Sequence, residues 1–131
     1  MSASIELTVP FHDVDILHVV WHGHYYKYLE LARTELMRAH RLDVPDLMEL
    51  GFHFLIVESQ CRYMRPLRYG ERVRVSARFG DIDHRIVVVY DVHSVTHERR
   101  AARARTVLVT TKPDGELMLE TPDAIRSRIV A

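Results

Sequence analysis

The chain has 131 residues, 47% of them hydrophobic and 27% charged, which is typical of one globular domain. Its 18 lysines and arginines balance its 18 aspartates and glutamates, and this neutrality argues against a nucleic-acid-binding protein, which needs a basic excess. Cys61 is the only cysteine, no stretch approaches the ~20 apolar residues of a membrane span, and the N-terminus lacks a signal-peptide pattern. We therefore expect a single cytoplasmic domain over residues 1–131.

The first third of the chain predicts a strand, a loop and a long helix. Residues 4–10 alternate apolar and polar side chains, which indicates a half-buried strand that ends at Pro10. Residues 11–22 are rich in acids and histidines and predict a loop. From about His24 to His40 the apolar residues recur at helical spacing, with charged residues mostly on the other side. This segment is the only long helix that the sequence predicts.

The rest of the chain predicts a short helix and then strands. Asp43 is a good N-cap and Gly51 a good C-terminal stop for the short helix. Near the end of the chain, Thr121 is expected to cap a terminal helical turn with Pro122 at its first position. Four segments rich in β-branched and aromatic residues predict strands in meander-like succession: 53–65, 71–82, 85–97 and 101–112.

This order of elements predicts an α+β fold. A sheet of about five antiparallel strands has to cover an apolar face, and the long helix is the obvious cover, so we expect the sheet to wrap around it. The open edges and the second face of such a sheet favour association into a homodimer or homotetramer.

Two sequence motifs carry a resemblance to a known family. The first, at residues 13–33, reads Asp-x-Asp-x-x-x-Val-Val-Trp-His-Gly-x-Tyr-x-x-Tyr-x-Glu-x-Ala-Arg, and the second, at residues 62–71, reads Arg-Tyr-Met-Arg-Pro-Leu-Arg-Tyr-Gly-Glu. Both are similar to the motifs of hot-dog-fold acyl-CoA thioesterases of the 4-hydroxybenzoyl-CoA thioesterase and YbgC-like type. With the order of elements, the resemblance covers nearly the whole chain. It implies a hot-dog fold, thioester hydrolysis, and active sites at the interface of a dimer.

The resemblance places Asp15 at the family's catalytic aspartate. A carboxylate beside a partly apolar pocket can attack a thioester or activate water. The backbone N–H groups of His22 and Gly23, where the long helix begins, are expected to form the oxyanion hole, and Gly23 lets the substrate approach the backbone. Asp13 is the competing acid. We expect only one of the two acids to enter the site, and Asp13 to hold the loop through backbone N–H groups. The resemblance also puts His18 where the family more often has glycine.

Five further residues are expected to contact the substrate. Trp21 and Tyr25 suit the walls of the pocket, and Glu58 on the second strand is either a second carboxylate of the site or an exposed strand residue. Arg65 and Arg68 are expected to bind the phosphates of coenzyme A, with Arg62, Arg99 and Arg100 as further candidates. Guanidinium groups suit phosphate, and the chain has no glycine-rich phosphate loop. Nine histidines invite a metal site, but none stands in a metal-ligand spacing on a predicted helix, so we expect neither metal nor cofactor.

The leading functional hypothesis is hydrolysis of an acyl-CoA or acyl carrier protein thioester to free acid and thiol, with Asp15 as nucleophile or general base. One alternative keeps the fold and uses Asp15 and His22 to hydrate or dehydrate an enoyl thioester. Another is a non-catalytic module that binds an acyl thioester or a protein partner. Release of free thiol separates hydrolysis from both.

Overall fold

The computed structural model describes residues 2–130 and contains five strands and three helices. The strands are β1 (Ser2–Thr8), β2 (His53–Tyr63), β3 (Arg72–Phe79), β4 (Ile86–Ser94) and β5 (Arg99–Thr111). The helices are α1 (Tyr25–Ala39), α2 (Val44–Leu50) and α3 (Asp123–Val130). Two single 3₁₀ turns, Phe11–Asp13 and His22–His24, lie in the connection between β1 and α1. The predicted elements are present, with the second to fourth strands shorter than expected and β5 starting two residues earlier.

All strands pair antiparallel in the order β1-β3-β4-β5-β2. The expected meander is correct for β3, β4 and β5 but wrong for β2, which lies at the far edge beside β5. The connection from β2 to β3, residues 64–71, is longer than a usual hairpin loop. Its Leu67 carbonyl accepts a hydrogen bond from the Val20 N–H, and its Glu71 carbonyl accepts one from the Val9 N–H. This segment therefore crosses the structure instead of closing a hairpin.

Helix α1 packs on one face of this sheet, as its apolar spacing predicts. Its buried residues include Leu29, Ala32 and Leu36, and the alternating pattern of β3 turns Val73 and Val75 towards the same core. Each fully buried leucine or valine contributes roughly 1.5–3 kcal/mol relative to an exposed one. The sheet thus wraps around α1, which is the predicted α+β arrangement.

The predicted caps of α2 are confirmed. The Asp43 carboxylate accepts from the Val44 N–H at 2.8 Å, while the Asp46 carboxylate accepts from the Asp43 N–H at 3.1 Å. The Asp43 carboxylate also accepts from the Asp46 N–H, and this bond with the reciprocal one from the Asp43 N–H forms a capping box. Gly51 ends the helix with a left-handed φ of 82°, where a glycine has no Cβ to clash.

The prediction for the last helix is wrong by one residue. Helix α3 begins at Asp123, so Pro122 precedes its first position, and the Pro122 carbonyl accepts from the N–H groups of Ile125 and Arg126. The Thr121 hydroxyl is buried without a hydrogen-bond partner among residues 2–130, so it does not cap the helix. The Thr121 N–H instead donates to the Asp83 carbonyl, which joins the start of α3 to the β3–β4 connection.

Candidate active site

The two aspartates of the first motif lie in different environments. Asp13 is 1% exposed, its Oδ2 accepts the Tyr28 hydroxyl at 2.6 Å, and its Oδ1 accepts Lys27 Nζ at 2.5 Å. Burial raises the pKa of Asp13, but the hydrogen bonds from Lys27 and Tyr28 outweigh it and leave that pKa below its ordinary value. Asp13 therefore joins the loop to α1 through side chains, and the expected hold through backbone N–H groups is wrong.

Asp15 begins a tight turn two residues later. Its Oδ1 accepts the Leu17 N–H at 2.8 Å, and its carbonyl accepts the His18 N–H at 2.9 Å. His18, where the resembled family more often has glycine, has a φ of 65°, in the left-handed region that favours glycine. The Asp15 N–H donates to the Val19 carbonyl and closes the turn. The Asp15 side chain is half-buried, so its second oxygen is available to a ligand.

A cavity of about 320 Å³ adjoins this turn. It is lined by four of the predicted site residues, Asp15, His22, Tyr25 and Arg65. Burial raises the pKa of Tyr25 to about 12, so its hydroxyl is neutral at physiological pH. The structure thus brings the carboxylate, the helix start and one of the two predicted arginines together, while their roles stay predictions.

Tyr63 was missed in the sequence analysis although it lines the same cavity. It is the last residue of β2, and its hydroxyl donates to the His22 carbonyl at 2.8 Å, which ties the helix start to the sheet. The available signal was its place in the second motif. The sequence alone did not identify it as a site residue, because only the crossover of β2 brings the end of that strand to the first motif.

The start of α1 supplies backbone donors beside the carboxylate. In the 3₁₀ turn the His24 N–H donates to the Trp21 carbonyl, and the Tyr25 N–H donates to the His22 carbonyl. The N–H groups of His22 and Gly23 precede these bonds and are the free amides of a helix N-terminus. Such amides, together with the helix dipole, stabilise a developing negative charge on a carbonyl oxygen.

The packing of Trp21 explains why position 23 is a glycine. A Cβ at this position would lie 2.2 Å from Cζ3 of Trp21, because the indole ring packs against Gly23. The ring also contacts His24 edge to face, at 5.3 Å between centroids. Trp21 is consequently absent from the lining of the Asp15 cavity, contrary to the expectation that it forms a pocket wall.

Two other predicted substrate contacts lie outside the cavity. Glu58 sits at a β-bulge of β2 and accepts from Arg105 Nη1 at 3.4 Å. The exposed Arg68 lies in the crossover, where its N–H donates to the Glu71 carboxylate. Glu71 is buried and also accepts the Ser94 hydroxyl at 2.7 Å. Glu71 therefore joins the second motif to β4, and of the motif's two predicted substrate contacts only Arg65 adjoins the cavity.

The fold agrees with comparisons to known proteins. A model of the thioesterase-like superfamily matches residues 9–129. The chain belongs to this superfamily. The superfamily member described here is thus a thioester hydrolase with the hot-dog fold, as the two motifs predicted.

Individual relatives are similar to this chain over most of its length. A candidate esterase of Synechocystis is 27% identical over 128 residues, which cover 96% of this chain and 77% of the relative. The crystal structure of a 1,4-dihydroxy-2-naphthoyl-CoA thioesterase from Synechocystis superposes with a TM-score of 0.86 at 20% identity, over 99% of this chain and 96% of that one. A Staphylococcus aureus protein in complex with CoA gives a TM-score of 0.88 at 14% identity, over 99% and 82% of the two chains.

Two further features of the described residues concern metal binding and membrane spans. Within residues 2–130 no three His, Cys, Asp or Glu side chains group together as metal ligands. The metal-free site stays a prediction. No helix in the same residues is long and apolar enough to cross a membrane.

Proposed function

We propose that this thioesterase hydrolyses acyl-CoA thioesters, with Asp15 as the catalytic carboxylate. The observation that supports the proposal most is that Asp15, which is half-buried, and His22, just before α1, line one cavity. A carboxylate and backbone donors on either side of a carbonyl are what acyl transfer to water requires.

In the proposed reaction the thioester carbonyl oxygen accepts hydrogen bonds from the N–H groups of His22 and Gly23. Asp15 either attacks the carbonyl carbon directly or takes a proton from a water that attacks it. The carbon–sulfur bond then breaks, and the sulfur leaves as thiolate and takes up a proton. When water attacks, this step releases the free acid. When Asp15 attacks, it leaves an anhydride between the acyl group and Asp15, which a water molecule then hydrolyses. By either route the products are one acid and one thiol, and Asp15 is regenerated.

The proposed assembly is a dimer formed through β2. This strand is at the edge of the sheet, and Leu55, Ile56 and Val57 on it are 53%, 45% and 51% exposed. An exposed apolar edge strand invites pairing with another strand. Antiparallel pairing of β2 with the same strand of a second copy would bury these residues and satisfy the edge.

Such pairing would also place a second cavity beside the first. The Asp15 cavity lies at the Tyr63 end of β2, and a cavity of about 270 Å³ that includes Phe54 and Arg33 lies at its other end. Within one protomer the two cavities adjoin different parts of β2, one at Tyr63 and the other at His53, Phe54 and Ile56. Antiparallel pairing about the strand's midpoint brings the Tyr63 end of one copy beside the Phe54 end of the other. We therefore propose an acyl pocket shared between two protomers.

The hydratase alternative rests on the same cavity, because His22 lines it together with Asp15. A thiol-release assay over short, long, branched and aromatic acyl-CoAs separates the two reactions. Hydrolysis produces free thiol, whereas hydration of an enoyl-CoA removes its enoyl absorbance and leaves the thioester intact. Replacing the CoA thioester with an acyl carrier protein thioester in the same assay identifies the carrier.

A further inference from the structure

The outer face of the sheet, which is turned away from α1, is rich in arginine. On β3 the buried residues Val73, Val75 and Ala77 alternate with exposed residues on the opposite face. Together with neighbouring strands, that face carries seven arginines: Arg62, Arg72, Arg74, Arg78, Arg100, Arg103 and Arg105. Because the whole chain has no net charge, this is a segregation of charge onto one surface, which we call the arginine face.

The strand register places like charges directly opposite each other on this face. Arg103 of β5 is the cross-strand partner of Arg62 on β2. Directly opposed like charges destabilise a sheet unless an anion lies near them. On its other side Arg103 is opposite Asp91 of β4. The carboxylates of this face are engaged, since Glu6 pairs with Arg72 at 2.8 Å, Asp91 with Arg100 at 3.0 Å and Glu58 with Arg105 at 3.4 Å.

Four of the arginines, including Arg74, have no ion-pair partner in the described part of the chain. The other three are Arg62, Arg78 and Arg103, and they line a common depression of about 390 Å³. Arg62 on β2 and Arg78 on β3 are separated by β4 and β5, so at the usual strand spacing their backbones lie roughly 14 Å apart. Guanidinium groups are well suited to phosphate, which they bind through paired hydrogen bonds. A single phosphate is too small to reach both sides of the depression.

We propose that the arginine face binds the phosphorylated adenosine end of coenzyme A. This rests on the proposed function, which brings a CoA thioester to the protein. That end of the molecule carries a diphosphate and a separate 3′-phosphate, so it offers two anionic groups to arginines on different strands. A second copy of the chain is a poor occupant of the same face, because two such surfaces would repel each other.

The end of β2 connects this face with the candidate active site. Tyr63 lines the Asp15 cavity, and its chain neighbour Arg62 lines the depression on the arginine face. Successive strand residues point to opposite faces of a sheet, so the two sites adjoin the same strand end from its two sides. Arg65, just beyond that end, lines the Asp15 cavity. The pantetheine arm would therefore pass over the end of β2 beside Arg65.

Binding of adenosine 3′,5′-bisphosphate tests the proposal without requiring turnover. Titration calorimetry compares the wild type with Arg62→Gln/Arg103→Gln and with Arg38→Gln/Arg126→Gln, which removes the same charge from exposed helix positions. We expect the first variant to bind at least ~10-fold more weakly, which is about 1.4 kcal/mol, and the second to match the wild type. Equal affinities in all three proteins, or an equal loss in both variants, would overturn the proposal.

A kinetic comparison adds a second readout. The Michaelis constant for an acyl-CoA should rise in Arg62→Gln/Arg103→Gln, while that for the matching N-acetylcysteamine thioester and both turnover numbers stay unchanged. Equal effects on the two substrates would contradict a nucleotide contact. A change in sedimentation of this variant would instead assign the face to contact between subunits. If the wild type binds the bisphosphate but releases no thiol from any thioester, the proposed function fails and the nucleotide site stands.

Discussion

The Tyr28 hydroxyl donates a 2.6 Å hydrogen bond to Oδ2 of Asp13 and so joins the loop that carries Asp13 and Asp15 to the first turns of α1. The Asp13 carbonyl also accepts the Trp21 N–H at 3.0 Å. Asp13 thus contacts the chain just before the His22 and Gly23 amides while lying two residues from Asp15. Asp13 is therefore placed to fix the position of the Asp15 carboxylate relative to the amide donors of the site.

Replacing Tyr28 with phenylalanine should therefore destabilise the protein. The change removes a hydrogen bond to a buried carboxylate, which contributes about 1.5–3 kcal/mol. Urea unfolding measures this loss, and Tyr26→Phe is the matched control because Tyr26 is an exposed neighbour on the same helix. Equal unfolding free energies for the two variants would show that the Asp13 contact does not support the fold.

The same carboxylate predicts a dependence of stability on pH. The folded-state pKa of Asp13 lies below its ordinary value of 3.8, so the ionised group stabilises the fold at pH values above 3.8. That contribution is lost as the pH falls through the lowered pKa. Unfolding free energies measured between about pH 2 and 5 should drop towards acid in the wild type and drop less in Asp13→Asn. Parallel curves for the two proteins would refute this assignment.

Gly23→Ala tests the contact between Gly23 and Trp21. The new Cβ would overlap the indole ring, so we expect a destabilisation of about 1–3 kcal/mol, typical of overpacking. In a Trp21→Ala background the same change should cost little, because the ring is gone. A double-mutant cycle by thermal unfolding measures the coupling between the two positions. Additive effects would mean that Gly23 is required for another reason.

A charge on the edge strand tests the proposed dimer. Val57→Lys places a lysine among the exposed apolar residues of β2, where it should block strand pairing and yield a monomer with little activity. Leu119→Lys is the control, because Leu119 is exposed but lies away from β2. Sedimentation velocity at micromolar concentration reports the assembly. A wild-type monomer, or a Val57→Lys dimer with full activity, would remove the shared-pocket proposal.

Local sequence signals predicted the helices and the loop well. The capping residues Asp43 and Gly51, and the apolar spacing of α1, act over a few residues and leave a direct trace in the sequence. The position of β2 left no such trace, since alternation reveals which face of a strand is buried and says nothing about its neighbour. Tyr63 and the opposed pair Arg62 and Arg103 depend on that neighbour, so they emerged only with the strand order.

The two motif acids were distinguished only in part. Alternation alone would put Asp13 and Asp15 on one face, because they are two residues apart. The 3₁₀ turn Phe11–Asp13 and the turn that begins at Asp15 separate them, and the partners of Asp13 lie on α1, fourteen and fifteen residues away. Docking of the loop against the first turns of that helix brings them together. The prediction that only one acid faces the cavity agrees with the lining residues, and the catalytic role itself needs kinetic evidence.

Thiol release by Asp15→Asn is the most direct test of Asp15 as the catalytic carboxylate. Asp114→Asn is the matched control, because Asp114 also accepts a backbone N–H two residues ahead in an exposed turn. With the best acyl-CoA from the substrate screen, we expect Asp15→Asn to lower the turnover number by at least ~100-fold and Asp114→Asn to keep a turnover number near that of the wild type. A nearly unchanged turnover number in Asp15→Asn, with a large loss in Asp13→Asn at unchanged stability, would contradict this role of Asp15.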